Sequence, residues 1–580
     1  MMPTPTRAPR LPQTAPPVSR LVVPLLLVLT AGVAHFLRLS AFGLYEDDYY
    51  YVGEPLGWDL RAAVDFVAEA FTNWPQGRPV GLALPRFLAF AVGSSLGLRG
   101  IYLLGFAVIA ANTLLAHRLA ARFLPPFPAL AFALVFCLFP ADTTRIFPTY
   151  ALQMHVALLF SLLAADRLLA RRHLAATAFF ALVLLTYETP GVPLFLVPLL
   201  GSVGWTLAWK RWLPAWAAMA SVVLSVVAIR SWMGERRIVE ALSGDLPTLL
   251  GTVAAAPFVG FFASARLLMA RPIDALFSLA PEEWLAVLAC FCALAWVIAR
   301  LVAGGGPGAS SAAARAPGLP PLPEPDSAGM RGAAGWTLFV GILTWLAGYA
   351  LSFTHWPPLA TAGRPTSVHG AAALGAATTS GALAWILLLR ARRRIARIAL
   401  GVCVAGYFSL LLGFHLTVQR AFAESWSLQR DLWRQVVRLC PDLEEGMLIF
   451  LRTEGLPENS MALVSSWADP LVLELVFRFP PEWSSVPRAF ALSREVVDSF
   501  SEANGIVRWR VPDATWKSHL AVLDRSKVVV LASEGGRLRR ERGTVRINSV
   551  EIRSKRRTRL TVAAIPRGPL FELLLGSELP

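Results

Sequence analysis

The sequence predicts a polytopic α-helical membrane protein with a C-terminal α/β domain, and three observations carry that expectation. Of its 580 residues, 55% are hydrophobic and only 16% charged, whereas soluble domains carry about 25% charged residues. Mean hydropathy is +0.54. Apolar runs of about 17–25 residues, the length that crosses ~30 Å of hydrocarbon, recur through the N-terminal two thirds of the chain and then stop.

The expected spans are 21–39, 100–117, 127–141, 151–168, 174–187, 192–209, 214–232, 284–302, 335–353, 367–389 and 398–417, about 11 transmembrane helices. The stretch 79–96 is apolar enough to cross but is broken by Pro85, Arg86 and Gly93-Ser94-Ser95. The distribution of Lys and Arg decides. With 79–96 lying flat, Arg118/Arg122, Arg167/Arg171/Arg172, Lys210/Arg211, Arg300 and the Arg390–Arg397 cluster fall on the same side as Arg7, Arg10 and Arg20, as the positive-inside tendency requires. The outer loop 40–99 then holds two surface-lying helices, the amphipathic Arg61–Glu69 pattern and 79–96.

Residues 1–20 are expected to form a cytoplasmic tail, 21–417 a membrane domain and 418–580 a soluble extracytoplasmic domain. A Gly/Ala/Pro-rich stretch, 303–333, reads as a cytoplasmic linker. A long outer loop, 233–283, carries an apolar stretch at 248–270 that either packs on the membrane surface or dips into it. Strand-like runs follow at 447–452, 461–466, 527–532 and 544–553, after a helical pattern at 421–440. The expected location is a cell membrane, that of the bacterial inner membrane.

The net charge of +16 follows from Arg residues between spans, and no nucleic-acid-binding motif accompanies it. Five cysteines (137, 290, 292, 403, 440) include no CxxC, so neither a disulfide framework nor a zinc site is supported. Phosphate-loop, HExxH, GxSxG and dinucleotide signatures are absent from the sequence. Charged residues are scarce at mid-span positions, which argues against an ion-coupled transporter with a midplane site.

Candidate chemistry gathers at hairpin ends. Glu46-Asp47-Asp48-Tyr49-Tyr50-Tyr51 follows the first apolar run. Carboxylates crowded at a membrane face are costly unless something uses them, and one placed there can take a proton from an acceptor hydroxyl. A solvated helix end remains the alternative for an isolated acid pair. Arg78, at the start of the flat stretch, adds a cation. Asp142 and Arg145 come from a second turn, with His155 a helical turn deeper, either a satisfied polar residue or a site residue. Tyr187 and Glu188 lie in a third turn. His355 and Arg364 lie in a fourth, where Arg364 suits either a lipid-linked phosphate or ordinary headgroups.

The ordered set resembles the glycosyltransferase C superfamily, membrane enzymes such as the protein O-mannosyltransferases and lipid A aminoarabinose transferases. Asp47-Asp48-Tyr49 stands where that family carries its Asp-Glu-x-x-Tyr-like motif. Gly77-Arg78-Pro79 opens the second surface helix, and His117-Arg118-Leu-Ala-Ala-Arg122-Phe matches the inner loop. Leu185-Thr186-Tyr187-Glu188-Thr189-Pro190 stands where relatives carry a Leu-Thr-Lys-Gly-Pro-like turn, with Glu in place of Lys. The resemblance covers roughly residues 20–215 and, more loosely, Arg364; it does not extend to the C-terminal domain.

That resemblance implies transfer of a sugar from a polyprenyl-phosphate-linked donor to a glycan, lipid or protein acceptor, without nucleic acid. Asp47 would be the base, supported by Asp48. Glu46, Tyr49, Arg78, Asp142, Arg145, His155, Tyr187 and Glu188 would bind substrate, and Arg364 with His355 would bind the lipid phosphate. Some relatives use a divalent cation, which the acid-rich loop could hold. A transporter or lipid flippase, or a non-catalytic envelope-assembly protein, is the alternative.

Overall fold

The computed structural model describes residues 18–200, 205–233, 235, 246–304, 327–352, 357–391, 393–454, 468–511, 519–557 and 565–576. Residues 1–17 of the expected tail 1–20, most of the linker (305–326), the run at 461–466 and His355 lie outside them.

Eight helices among the described residues are long and apolar enough to cross a membrane. The first is Val18–Phe36, whose C-terminal carbonyls would be unsatisfied in hydrocarbon. Gln419 meets this need, donating to Val33 O and Ala34 O at 2.8 Å each. Arg38, just beyond, pairs with Glu283 at 3.0 Å, and Arg420 meets the same carboxylate at 2.7 Å. The end of the first helix and the start of Pro281–Gly304 are thus pinned to the middle of Arg394–Leu439, a helix distant in sequence.

The ambiguous stretch and the span after it form two helical segments within Pro79–Ala120, joined at a kink at Gly97 (φ 60°). Pro79–Leu96 is a separate segment from the span that follows, and it packs with the helix Leu60–Asn73. Asp59 caps that helix, accepting from Ala62 N at 2.8 Å. Trp74, Gln76 and Gly77 then take left-handed backbone, and a side chain on Gly77 would lie 2.5 Å from Arg230 Nε.

Among the described residues, three of the expected spans correspond to apolar helices of only 10–17 residues. Helix 126–137 stops at Cys137, and His173–Thr186 and Thr189–Leu200 are also short apolar pieces. Residues 248–270 form part of one 33-residue helix, Leu246–Ser278, which reaches membrane-crossing length. Helices Ser327–Ala347 and Ala373–Arg390 meet through small residues. A Cβ on Gly375 would lie 2.1 Å from Trp345 N, so side-chain-free contact sets that close approach.

The last membrane helix does not end where the composition changes. Arg394–Leu439 is one 46-residue helix, and it leads directly into an α/β domain. Its main sheet has the order β2-β1-β6-β7. Strand β1 (Leu448–Arg452) pairs in parallel with β2 (Arg488–Ala491) and β6 (Val528–Glu534), while β7 (Arg537–Arg540) is antiparallel to β6. Helix Asp469–Val476 lies between β1 and β2 in sequence, the crossover that parallel pairing needs. A second sheet joins β3 (Ser501–Ala503), β4 (Ile506–Val511) and β5 (His519–Val522), and β8 (Gly543–Ile547) with β9 (Val550–Ser554) forms a hairpin. All three sheets contribute to one apolar core that includes Phe450, Trp509, Val530 and Ile552.

Candidate functional site

The loop after the first helix places two neighbouring acids in different surroundings. Glu46 adopts φ 43°, a conformation disfavoured for a residue with a Cβ, and the chain then turns tightly through Tyr49–Gly53. Asp48 is sealed in. Its Oδ1 accepts from Thr149 N (2.9 Å) and Thr149 Oγ1 (2.6 Å), and its Oδ2 from Tyr45 N (3.1 Å). Burial nevertheless raises its pKa to about 8.

Asp47 instead faces Arg364, 317 residues further along the chain, with Oδ1 3.2 Å from Nε. Tyr150 OH lies between them, 3.4 Å from Asp47 Oδ2 and 3.4 Å from Arg364 Nε. Glu46 Oε2 meets the same guanidinium at 3.5 Å. Burial raises the pKa of Asp47, against the pull of Arg364. It raises Glu46 to about 7, with Arg364 pulling down and Asp47 pushing up. One Arg therefore serves two carboxylates that resist ionising together.

A second charged group stands beside the first. Arg78 donates to Glu188 through both Nε (2.8 Å) and Nη2 (2.6 Å), the fork geometry that makes such pairs strong, and it stacks 4.0 Å over Tyr187. Arg230 adds a further contact to Glu188 at 3.6 Å and donates to Gly77 O. Burial alone would raise Glu188, but the charge and hydrogen bonds of Arg78, with Arg230, hold it at about 2. Tyr51 feels the charges of both groups. Burial first, then Asp47, pushes its phenol up to about 12, while Arg86 and Arg78 pull down.

Asp142, Arg145 and His155 form a third, fully buried group. Asp142 Oδ1 accepts from Thr144 N and Oγ1, and its Oδ2 lies 3.5 Å from His155 Nε2 and 3.8 Å from Arg145 Nε. Burial opposes ionisation of Asp142, yet His155 and Arg145 bring its pKa below the usual value. Arg145 donates to Cys137 O and Phe136 O, satisfying the open end of the helix that stops there. This group supports the turn that carries Thr149 and Tyr150 and offers no open face.

Tyr49 points away from the acids and donates to Gln429 Oε1 at 2.9 Å. The structure therefore joins Glu46, Asp47 and Arg364, sets Arg78, Tyr187 and Glu188 next to them, and separates Asp48, Tyr49, Asp142, Arg145 and His155 from that face. Sequence reasoning missed three contributors. Tyr150 bridges Asp47 and Arg364, and Arg230 braces Glu188. Arg86, read as an interruption, is buried between Tyr50 (3.6 Å) and Phe66 (4.2 Å) and pairs with Glu54 at 3.2 Å. The interruption itself was the signal, since an Arg in an apolar segment needs a partner.

Among the described residues no group of three or more His, Cys, Asp or Glu is placed to hold a metal ion. Glu46 and Asp47, the pair a divalent cation would draw on, both face the Arg364 guanidinium, which does not fit a cation between them. No protein-family model matches the chain, and no curated protein is similar to it at a significant level.

Proposed function

We propose that this protein is a membrane glycosyltransferase that moves a sugar from a polyprenyl-phosphate-linked donor to an acceptor hydroxyl on the extracytoplasmic face. The observation that carries the reading is the Asp47–Arg364 pair, a nearly buried carboxylate on the loop after the first apolar helix and a guanidinium from the start of Arg364–Ala372, 3.2 Å apart. The likeness of the 20–215 region to the glycosyltransferase C pattern, and the Lys/Arg distribution that puts this end outside, support it.

In this mechanism Asp47 accepts the proton of the acceptor hydroxyl, and burial strengthens it as a base. The acceptor oxygen forms a bond to the anomeric carbon as the bond from that carbon to the phosphate oxygen breaks. The polyprenyl phosphate departs with the electron pair, and the anomeric centre inverts. Arg364 balances the negative charge growing on the leaving phosphate. Glu46 sits between protonation states near neutral pH, so its neutral form releases one arm of Arg364 for the donor. Arg78 stays locked to Glu188 and orders the neighbouring wall.

Membranes containing the protein, supplied with radiolabelled polyprenyl-phosphate sugars and cell-surface acceptors, test the proposal. Transfer should occur with the wild type and vanish with Asp47→Asn at unchanged expression and insertion. Arg364→Ala should mainly weaken use of the donor. Full transfer by Asp47→Asn would remove Asp47 as the base, and a topology reporter placing Tyr49 in the cytosol would overturn the reading altogether.

A further inference from the structure

The acidic loop and the C-terminal domain meet along a close seam. A side chain on Gly53 would lie 3.2 Å from Leu475 and 3.3 Å from Leu570, and one on Gly57 would lie 3.2 Å from Pro569. Those domain residues belong to two segments tied to each other. Leu570 N donates to Leu475 O at 2.9 Å, and Gly568 N to Val476 O at 2.8 Å. The short turn Glu54–Gly57 therefore rests on the helix Asp469–Val476 and on the chain that pairs with its end.

Contact between Gly53 and Leu475 brings their chain neighbours, Glu54 and Glu474, to one edge of that seam. Along Asp469–Val476 only Leu471 and Glu474 are not buried. Each acid has a cation on its own side. Glu54 meets Arg86 at 3.2 Å, and Glu474 meets Arg488 of β2 at 3.6 Å. The two pairs are unequal. The Arg86 side chain is 2% exposed and stacks 3.6 Å over Tyr50, so the charge of Glu54 has a fixed partner. Arg488 is 43% exposed and holds Glu474 through a longer contact, the kind that contributes little.

Glu474 is therefore the acid that gives way. Burial raises its pKa against the pull of Arg488, and the charge of Glu54 pushes in the same direction as burial. Burial also raises Glu54, with Arg86 pulling down. The other charged groups nearby are engaged or turned outward. Asp469, on the same helix, is buried and acts on the Tyr49 phenol. Arg567 pairs with Glu572 at 2.8 Å, and Arg478 is exposed.

We propose that this edge is a proton-controlled latch between the acidic loop and the C-terminal domain. With Glu474 neutral, the domain seats on Gly53 and Gly57. With Glu474 ionised, its charge faces that of Glu54 and the seam loosens. A free glutamate titrates near 4.5 and seated Glu474 lies higher, so the seated form binds more protons above 4.5. Its advantage is lost as pH rises through the higher value. The latch holds in acid and eases toward alkaline pH. It uses neither Asp47 nor Arg364 and does not depend on sugar transfer.

Hydrogen exchange over residues 49–57 of the full-length protein in nanodiscs, expressed as protection relative to an open amide at each pH, tests it. Glu474→Gln removes the charge and keeps an acceptor for Arg488. At pH 8 it should raise protection about two- to fivefold, the size expected of half-exposed charges, and at pH 4 it should change nothing. Glu46 and Asp48 titrate on the same loop, but both proteins carry them and they cancel in the comparison. In a Glu54→Gln background the gain at pH 8 should disappear, because one repulsion is relieved only once. No gain or a loss at pH 8, an equal gain at pH 4, or a full gain in the Glu54→Gln background would each overturn the latch.

Discussion

The Tyr49 hydroxyl donates to Gln429 Oε1 at 2.9 Å, tying the loop that carries Asp47 to the helix that carries the C-terminal domain. Nearby, Tyr45 OH donates to Phe422 O, and Gly53 backs onto Leu475 and Leu570. The acidic loop is thus clasped between the membrane bundle and the soluble domain. Tyr49→Phe leaves Gln429 short of a buried donor and should cost about 1–3 kcal/mol. Thermal unfolding of the purified protein measures that loss, and a melting temperature equal to wild type would show that the clasp contributes nothing.

Glu46 should make stability fall as pH rises. Its pKa goes from 4.5 to about 7 on folding, so between those values the folded state binds more protons than the unfolded chain, and stability declines with pH until it levels above 7. Glu46→Gln should flatten that slope and melt higher than wild type at pH 8 but not at pH 4. Identical pH profiles for the two proteins would contradict the burial of Glu46.

Glu188 should act with the opposite sign. Its folded pKa of about 2 lies below the 4.5 of a free glutamate, so its contribution is complete above 4.5 and is lost as pH falls toward 2. At neutral pH, Glu188→Gln leaves Arg78 buried without its carboxylate and should cost about 3–5 kcal/mol. Replacing both partners with apolar residues should recover most of that. Chemical denaturation of the two single variants and the double variant reads the cycle, and additive losses would argue that the pair is not coupled.

Arg86 should hold the surface helix in place. Its guanidinium packs between Tyr50 and Phe66, joining the acidic loop to Leu60–Asn73. Arg86→Met keeps the volume but removes the charge, and about 1–2 kcal/mol of cation–π attraction with it. Hydrogen exchange over 60–73 should quicken in this variant. Unchanged exchange would assign the helix's attachment to its apolar contacts alone.

Much of the architecture was legible because hydrophobic period and length report on burial directly. The surface helix at 60–73, the break before residue 100, and the strands at 448–452 and 528–534 all follow from local pattern. The missing parts depend on distance. Nothing local couples Asp47 to Arg364 across 317 positions, or Arg78 to Glu188 across 110. Nor does composition separate Asp47 from Asp48, whose environments are set by Tyr150 and Thr149 on another segment. The boundary placed at 417 marks where the chain turns polar, but no Pro or Gly interrupts 414–439, so the backbone continues as helix across it.

That continuity has a mechanical consequence. A helix of 46 residues is a rod about 69 Å long, and a tilt of about 5° at one end displaces the other by about 6 Å. Because the rod grips the first helix through Gln419, the acidic loop through Gln429 and the sheet through Gln435, whatever seizes the domain can tug on the loop below it. Any shift of the sheet at one end of such a lever is therefore carried to the loop that holds Asp47.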